Sequence, residues 1–474
     1  MDGLECSIIN LKDVELDNEK YRFDSEFFKK EYLYSYRKIK KIQHSTISNE
    51  MKLLTDFHSN GSYKTIAENF KMYDEPNFAY MVRTTDLEID NYDLNVKYID
   101  EKAYNFLAKS KVQGGELLIN KIGSPGRTFL MPKLNRPVSL GMNLFMVSIK
   151  EGRNTNEEIL YLFLNSCFGK RIIERKINGT VPLTIDKEAI KSLYVPIFTN
   201  QFNQQLCTIV DESNHKLKMS KVKYIESEAI LNYYLKIDFD KLNNSGISLK
   251  MLKDSYLRTS RIDAEYYQVK YDELLKIISK MDSDKLSNVC SVYKKNFLPK
   301  DDIMYKYIEL ADVDNNGNIG EIEDVLGAEL PTRARRKVEK NQVIISSIEG
   351  SLQSCAMILS DKDNMLCSNG FYVIDSSLIN SETLLLLFKN PVIQWQLKRG
   401  CVGTILTAIP NDEFCDIKVP IIAKETQKII KERISESFKL RKESEELIKK
   451  GIKAVEIAIE KSEDEAIKYL ESGS

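Results

Sequence analysis

Arg22-Phe-Asp-Ser-Glu-Phe-Phe28 returns later in the chain as Arg261-Ile-Asp-Ala-Glu-Tyr-Tyr267, at an offset of 239 residues. Gly115-Glu-Leu-Leu-Ile-Asn-Lys-Ile122 answers to Asn341-Gln-Val-Ile-Ile-Ser-Ser-Ile348, and Thr85-Asp86-Leu87 to Ala311-Asp312-Val313, both at 226. The same 226 carries Met131 to Met357, Asn143 to Asn369, Phe145 to Phe371 and Val147 to Val373. A third block pairs Gly179-Thr180-Val181 with Gly403-Thr404-Ile405 and Val195-Pro196-Ile197 with Val419-Pro420-Ile421 at 224. Three blocks in the same order, with so little drift in offset, make the chain a tandem duplication.

Each copy follows one plan. Runs at 78–87, 116–122 and 144–149, with counterparts at 307–313, 342–348 and 371–374, are rich in apolar and β-branched residues and bounded by Gly, Pro and Asn, which predicts strands. An apolar helical pattern follows at 159–176 and 381–399 and runs into the Gly-Thr loop. After Val-Pro-Ile each copy ends in a long helix-favouring stretch, 201–235 and 424–470. In the last one Ile430, Ile434, Phe438, Ile448, Ile452, Val455 and Ile459 recur at coiled-coil spacing against a Glu/Lys face. A 35-residue helix is about 52 Å long at 1.5 Å per residue. Two of them can pack antiparallel as a spacer, or merely cap their own domains. The expected fold is α+β: a mixed α/β domain at 1–198, a long helix at 199–240, a second α/β domain at 241–422 and a long helix at 423–474.

The 474 residues alone suggest about three domains at roughly 150 each; the repeat replaces three with two. Lysine plus arginine is 69 against 70 acids, a net charge of −1, which argues against a histone-like polybasic binder but leaves nucleic acid open. At 42% apolar and 29% charged residues the composition is globular. No run approaches the roughly 20 apolar residues of a membrane span, and the start shows no signal-peptide pattern. The eight cysteines never form CxxC and lie far from His44, His58 and His215, so reduced thiols in a cytoplasmic protein are expected instead of a zinc site or disulfides.

The usual catalytic constellations are missing. The stretch Lys121-Ile-Gly-Ser-Pro-Gly-Arg127 has glycines but no closing Gly-Lys-Ser/Thr, so it is not a P-loop. No dinucleotide or methyl-donor glycine fingerprint follows a strand, and no Asn-Pro-Pro-aromatic tetrapeptide occurs. Three histidines make a nucleophile relay hard to build. Acid pairs such as Asp301/Asp302 and Asp312/Asp314 are what 70 carboxylates yield by chance, though they keep open a metal-dependent nuclease.

Positive charge is placed unevenly. Lys170, Arg171, Arg175 and Lys176 precede the loop with Thr180, and Lys398 and Arg399 precede the loop with Thr404, so that Arg175 aligns with Arg399. A guanidinium and a hydroxyl at the tip of a glycine loop suit phosphate or guanine contacts; the plainer reading is that basic residues answer a helix dipole. The turn holding Lys121, Ser124 and Arg127 is basic, whereas its counterpart with Ser347 and Gln353 is polar. Read by these loops, the two halves would prefer different bases, since Arg favours guanine and Gln adenine. Arg333, Arg335 and Arg336 sit in the densest basic run, 332–337, with a solvated surface as the alternative.

The duplication, the pattern at 115–126, the Gly-Thr loops at 179 and 403, the Val-Pro-Ile signals at 195 and 419 and the helix after each resemble the specificity subunit of type I restriction-modification enzymes. The resemblance spans nearly the whole chain. It implies two target-recognition domains, each reading half of a bipartite DNA site, with the long helices docking two methyltransferase (modification) subunits. Those subunits would bring S-adenosylmethionine, this chain carrying no cofactor, metal or catalytic residue, and through them restriction subunits would join. Two departures stand out: about 13 extra residues between the opening motif and Asp86, and a C-terminal helix longer than the central one. The expected function is non-catalytic DNA-sequence recognition on double-stranded DNA, away from membranes. The alternatives are an autonomous metal-dependent nuclease and a protein-binding scaffold of an anti-phage complex.

Overall fold

The computed structural model describes residues 8–10, 14, 18, 21–93, 96–243, 246–314, 316–320, 322–359, 364–403 and 407–472. The chain divides into two compact units, 1–216 with 443–474 and 217–442. Both are mixed helix and sheet.

In the first unit an antiparallel sheet runs in the order Met51–Asp56, Leu144–Ile149, Leu117–Asn120, Thr128–Leu130. A second sheet runs Lys97–Ile99, Ala79–Val82, Val138–Leu140, Lys111–Val112, and only its central pair is parallel. The unbroken apolar run Leu117-Leu-Ile119 explains the layering. Side chains alternate across a strand, so Leu117 and Ile119 face helices bearing Leu160 and Phe163, while Leu118 packs with Tyr80, Leu140 and Met146 toward the second sheet. Both faces are covered, as a continuous apolar strand demands. Each such aliphatic side chain contributes about 1.5–3 kcal/mol by leaving water.

The second unit repeats this plan: Ser291–Tyr293, Phe371–Asp375, Val343–Ser346, Cys355–Met357 in one sheet, and Asp324–Leu326, Met304–Ile308, Met365–Ser368, Ala334–Lys337 in the other. Val343 and Ile345 join the helical core and Ile344 the opposite one. In each unit a short pair closes the fold, His44–Thr46 with Tyr194–Pro196 and Ser283–Lys285 with Lys418–Pro420.

The pairing corrects the alignment in one place. Leu117 pairs with Leu130 and with Val147, whereas Val343 pairs with Met357 and with Ile374. Met357 therefore answers to Leu130 and Phe371 to Leu144, an offset of 227 from the second strand of this hairpin onward. The extra residue lies in the turn, seven residues (121–127) in the first unit and eight (347–354) in the second.

Three helices end earlier than expected. The pattern at 159–176 breaks into Glu157–Asn165 and Cys167–Lys176, because Ser166 turns extended and its hydroxyl caps Gly169 N. The pattern at 381–399 breaks at Asn390, which caps a helix opened by Pro391. The C-terminal stretch is Lys424–Glu460, 37 residues against 36 for Asn200–Leu235, followed by a separate helix Glu463–Glu471 capped by Ser462. The long helices are thus of nearly equal length, and a cap accounts for the apparent excess.

Within each unit the two long helices run antiparallel. Ser213 and Ser444 exchange hydrogen bonds in the first unit (2.8–2.9 Å), as Ser220 and Ser437 do in the second (2.8–3.1 Å). Serine is small enough for close approach, and its hydroxyl is satisfied across the interface. The residues that the first copy inserts between Asp56 and Tyr80 build a 3-10 turn, Phe57–Asn60, and the helix Tyr63–Asn69, and Phe57 and Ile66 pack with Met81 and Leu107 in a small core of their own. Among the described residues no helix is long and apolar enough to cross a membrane, and the described cysteines are all free thiols.

Candidate nucleic-acid interface

The turn 121–127 and the loop 178–184 are one structure. Asn178 and Thr184 exchange backbone hydrogen bonds of 2.8 Å, Gly123 N donates to Leu183 O (3.2 Å) and Ile185 N to Lys121 O (3.1 Å). Asn120 closes the turn by donating its amide to Ser124 O at 2.9 Å. Gly126 is required there: its φ is +88°, and an added Cβ would stand 2.2 Å from Ile173 Cγ2 on the helix below. The rim so formed leaves Ser124, Arg127 and Thr180 exposed, with Val181 at 92%. Arg127 is ion-paired with Glu88 at the rim's edge and lies 5.8 Å from the Phe129 ring.

The second unit builds the same rim. Ile409 N donates to Ser347 O (2.8 Å) and Glu349 N to Thr407 O (2.9 Å), while Val402 and Ala408 exchange bonds of 2.9–3.0 Å. Ser347 donates through both N and Oγ to Gly370 O (2.9 and 2.8 Å), and Asn369 N donates to Arg333 O (2.8 Å), so one turn joins Ser347 to Arg333. Arg333 is exposed and pairs with Glu309 at 3.1 Å. Gln353 presents its side chain to solvent while its carbonyl accepts from the buried Lys389 ammonium at 2.9 Å. Arg335 donates to Thr332 O (2.7 Å). Arg336 turns toward the Tyr372 ring, 5.5 Å away. Thr404 lies outside the described residues.

Several basic residues singled out from the sequence serve the fold instead. Arg175 is only 2% exposed; its Nε donates to Phe27 O (3.1 Å) and its guanidinium lies over Phe27 (4.1 Å) and Tyr36 (4.8 Å). Arg399 pairs with Asp272 (3.1 Å) and lies over Tyr266 (4.6 Å). Arg175 is corrected from a DNA contact to a packed cation, because burial against aromatic rings takes the charge away from any docked duplex, whereas Arg399 is half-buried in its ion pair. Lys121 is corrected likewise: with its side chain 12% exposed, it donates to Asp56 Oδ2 at 2.9 Å. Lys187 donates to Asp56 Oδ1 and Ser59 Oγ, both at 2.7 Å. Burial alone would raise the Asp56 carboxyl, but hydrogen bonds from Lys187, Ser59 and Lys121 hold it well below the usual carboxylate range. On the same basic helices, Arg171 pairs with Glu31 (3.2 Å) and Lys398 with Glu265 (3.3 Å). Lys170 is exposed and Lys176 half-buried.

The opening motif explains its own repetition. Arg22 grips Asp24 through Nε and Nη2 (2.7 Å each), and its Nη1 donates to the carbonyls of Arg175 (3.2 Å) and Ile177 (2.8 Å). Arg261 does the same with Asp263 (2.7 and 2.9 Å) and the carbonyls of Arg399 and Cys401 (3.1 Å each). Carbonyls at a helix C-terminus lack intrahelical donors, and a guanidinium oriented by a carboxylate supplies them. Sequence reasoning missed this cap, although Arg-x-Asp in both copies was its signal; it also missed Asp56 and Lys187, for which no sequence signal exists. Among the described residues no three His, Cys, Asp or Glu side chains converge to hold a metal ion.

Two copies of a mixed α/β unit thus each present a rim of two hydrogen-bonded loops. Residues 279–454 match the family described as the type I restriction modification DNA specificity domain. Similar solved structures include a type I restriction-modification system S subunit from M. genitalium, at 13% identity over 90% of this chain and 95% of that one, with a TM-score of 0.33. Another, described as the basis of complex assembly and conformational transition of the type I R-M system, is 10% identical over 90% and 97% (TM-score 0.29). A third, the HsdS subunit from Thermoanaerobacter tengcongensis, is 9% identical over 89% and 97% (TM-score 0.27). No curated protein matches the chain.

Proposed function

We propose that the chain is the DNA-sequence-specificity subunit of a type I restriction-modification complex, with each unit reading one half of a bipartite duplex target. The observation that carries this reading is the specificity-domain match over the second copy, together with the same two-loop rim in the first. Arg127, Ser124 and Thr180 in one unit and Arg333, Ser347 and Gln353 in the other are donors and acceptors suited to base edges and phosphates. Such a subunit supplies no catalytic group. Methyltransferase subunits carrying S-adenosylmethionine dock on it and act where it binds, and restriction subunits join through them.

Domain exchange tests the reading. Replacing the first unit with that of a relative of different specificity should change only one half of the methylated site; a change in both halves, or in neither, refutes it. Incubating the pure chain with DNA and magnesium tests the nuclease alternative, and cleavage without partners would favour that alternative.

A further inference from the structure

The second unit has an open cavity of about 470 Å³ where 292–297 approaches 336–342, lined by Lys294, Lys295, Arg336 and Lys337, with Tyr293 at its wall and Glu339 its one carboxylate. Among the described residues nothing pairs with the amines of Lys294, Lys295 or Lys337. Nε and Nη1 of Arg336 are shut off from solvent, yet no group accepts from them. Buried guanidinium donors without acceptors are costly, and each such atom calls for an explanation.

Strand register shows how the first unit differs at the same place. Thr55 pairs with Met146 and Tyr293 with Val373, and these partners occupy the same position beside Leu118 and Ile344. Lys294 therefore stands where the first unit has Asp56. There the acid neutralises Lys121 and Lys187, and the inserted turn Phe57–Asn60 reaches the next layer through Asn60, which donates to Ser110 Oγ at 2.7 Å. The second unit lacks the insertion, and a lysine replaces the acid.

We propose that this cavity binds a phosphate group, and that the phosphate is a phosphodiester of the DNA half-site read by the second unit. Three unpaired amines and a guanidinium around one carboxylate match the charge of phosphate oxygens. The assignment rests on the proposed function and adds to it an asymmetry: a backbone clamp belongs to the second unit.

The test uses the full chain assembled with its methyltransferase partner. Affinity for duplex carrying the methylated site is measured between 50 and 200 mM salt for the wild type, Arg336→Gln and the double variant Lys294→Gln/Lys295→Gln, whose exposed side chains spare folding. Each lost phosphate contact should weaken binding and reduce the slope of log K against log salt by about 0.9, a loss of affinity about 3.5-fold smaller across that range. The methylated sequence should stay the same, since phosphates carry no sequence information. Wild-type affinity and slope in both variants, with methylation still site-specific, would overturn the clamp and leave the proposed function standing. An altered methylated sequence would also overturn it, because the residues would then be reading bases. A wild-type complex that methylates no defined site would refute the proposed function itself. Inorganic phosphate titrated into the full chain without DNA separates the two sources: saturation below the millimolar range, lost in Arg336→Gln, would assign the cavity to a free phosphate ester and overturn the DNA assignment.

Discussion

Arg175→Ala separates a packed cation from a DNA contact. The side chain donates one charged hydrogen bond to Phe27 O at 3.1 Å and covers two rings at 4.1 and 4.8 Å. A hydrogen bond from a charged donor contributes about 1.5–3 kcal/mol, and a desolvated guanidinium on an aromatic ring about 2. Truncation should cost the first unit about 3–5 kcal/mol. For a unit of this size each kcal/mol is worth about 2–4 °C, so its unfolding should fall by roughly 6–20 °C in a calorimetric scan of the full chain. Arg175→Lys keeps the charge but not the planar fork, and should recover less than half of that loss. At a temperature where both proteins are folded, DNA affinity should be unchanged. A variant that unfolds with the wild type and binds DNA more weakly would refute the reasoning.

Asp56→Asn should destabilise the first unit by on the order of 3 kcal/mol, because it leaves two lysines around a neutral amide. Since the Asp56 carboxyl is held below its ordinary value, its stabilisation is fully present above about pH 4 and is lost as pH falls further. Urea unfolding should show a constant gap between variant and wild type from pH 8 to 5 that narrows only in stronger acid; a gap that widens on acidification would contradict this. Gly126→Ala forces a side chain into φ +88° and against Ile173, a strain of about 1–3 kcal/mol that falls on the rim. The complex should assemble and methylate at least about 10-fold more slowly, and wild-type methylation rates would show that the turn does not touch DNA.

Periodic features were legible in the sequence. The duplication, the central strands around Leu117 and Val343 and the long helices follow from repeated motifs and apolar spacing, and the structure holds them there except that the last long helix stops at Glu460. Burial of charge was not legible. Arg175 and Lys176 are neighbours in sequence, but on a helix they point about 100° apart, and the ring that claims Arg175 lies 148 residues away. The one-residue slip in the rim turn was hidden because both alignments set apolar residues against apolar ones; only strand register fixes it. The same register is what places Lys294 at the position of Asp56, two residues that no alignment by similarity would pair.

Sequencing of methylated bases in DNA exposed to the chain with its methyltransferase partner tests the central claim most directly. The account predicts one interrupted site, two short defined segments separated by unspecified bases, with no methylation when this chain is omitted. Methylation scattered over unrelated sequences, or an unchanged pattern without the chain, would contradict it.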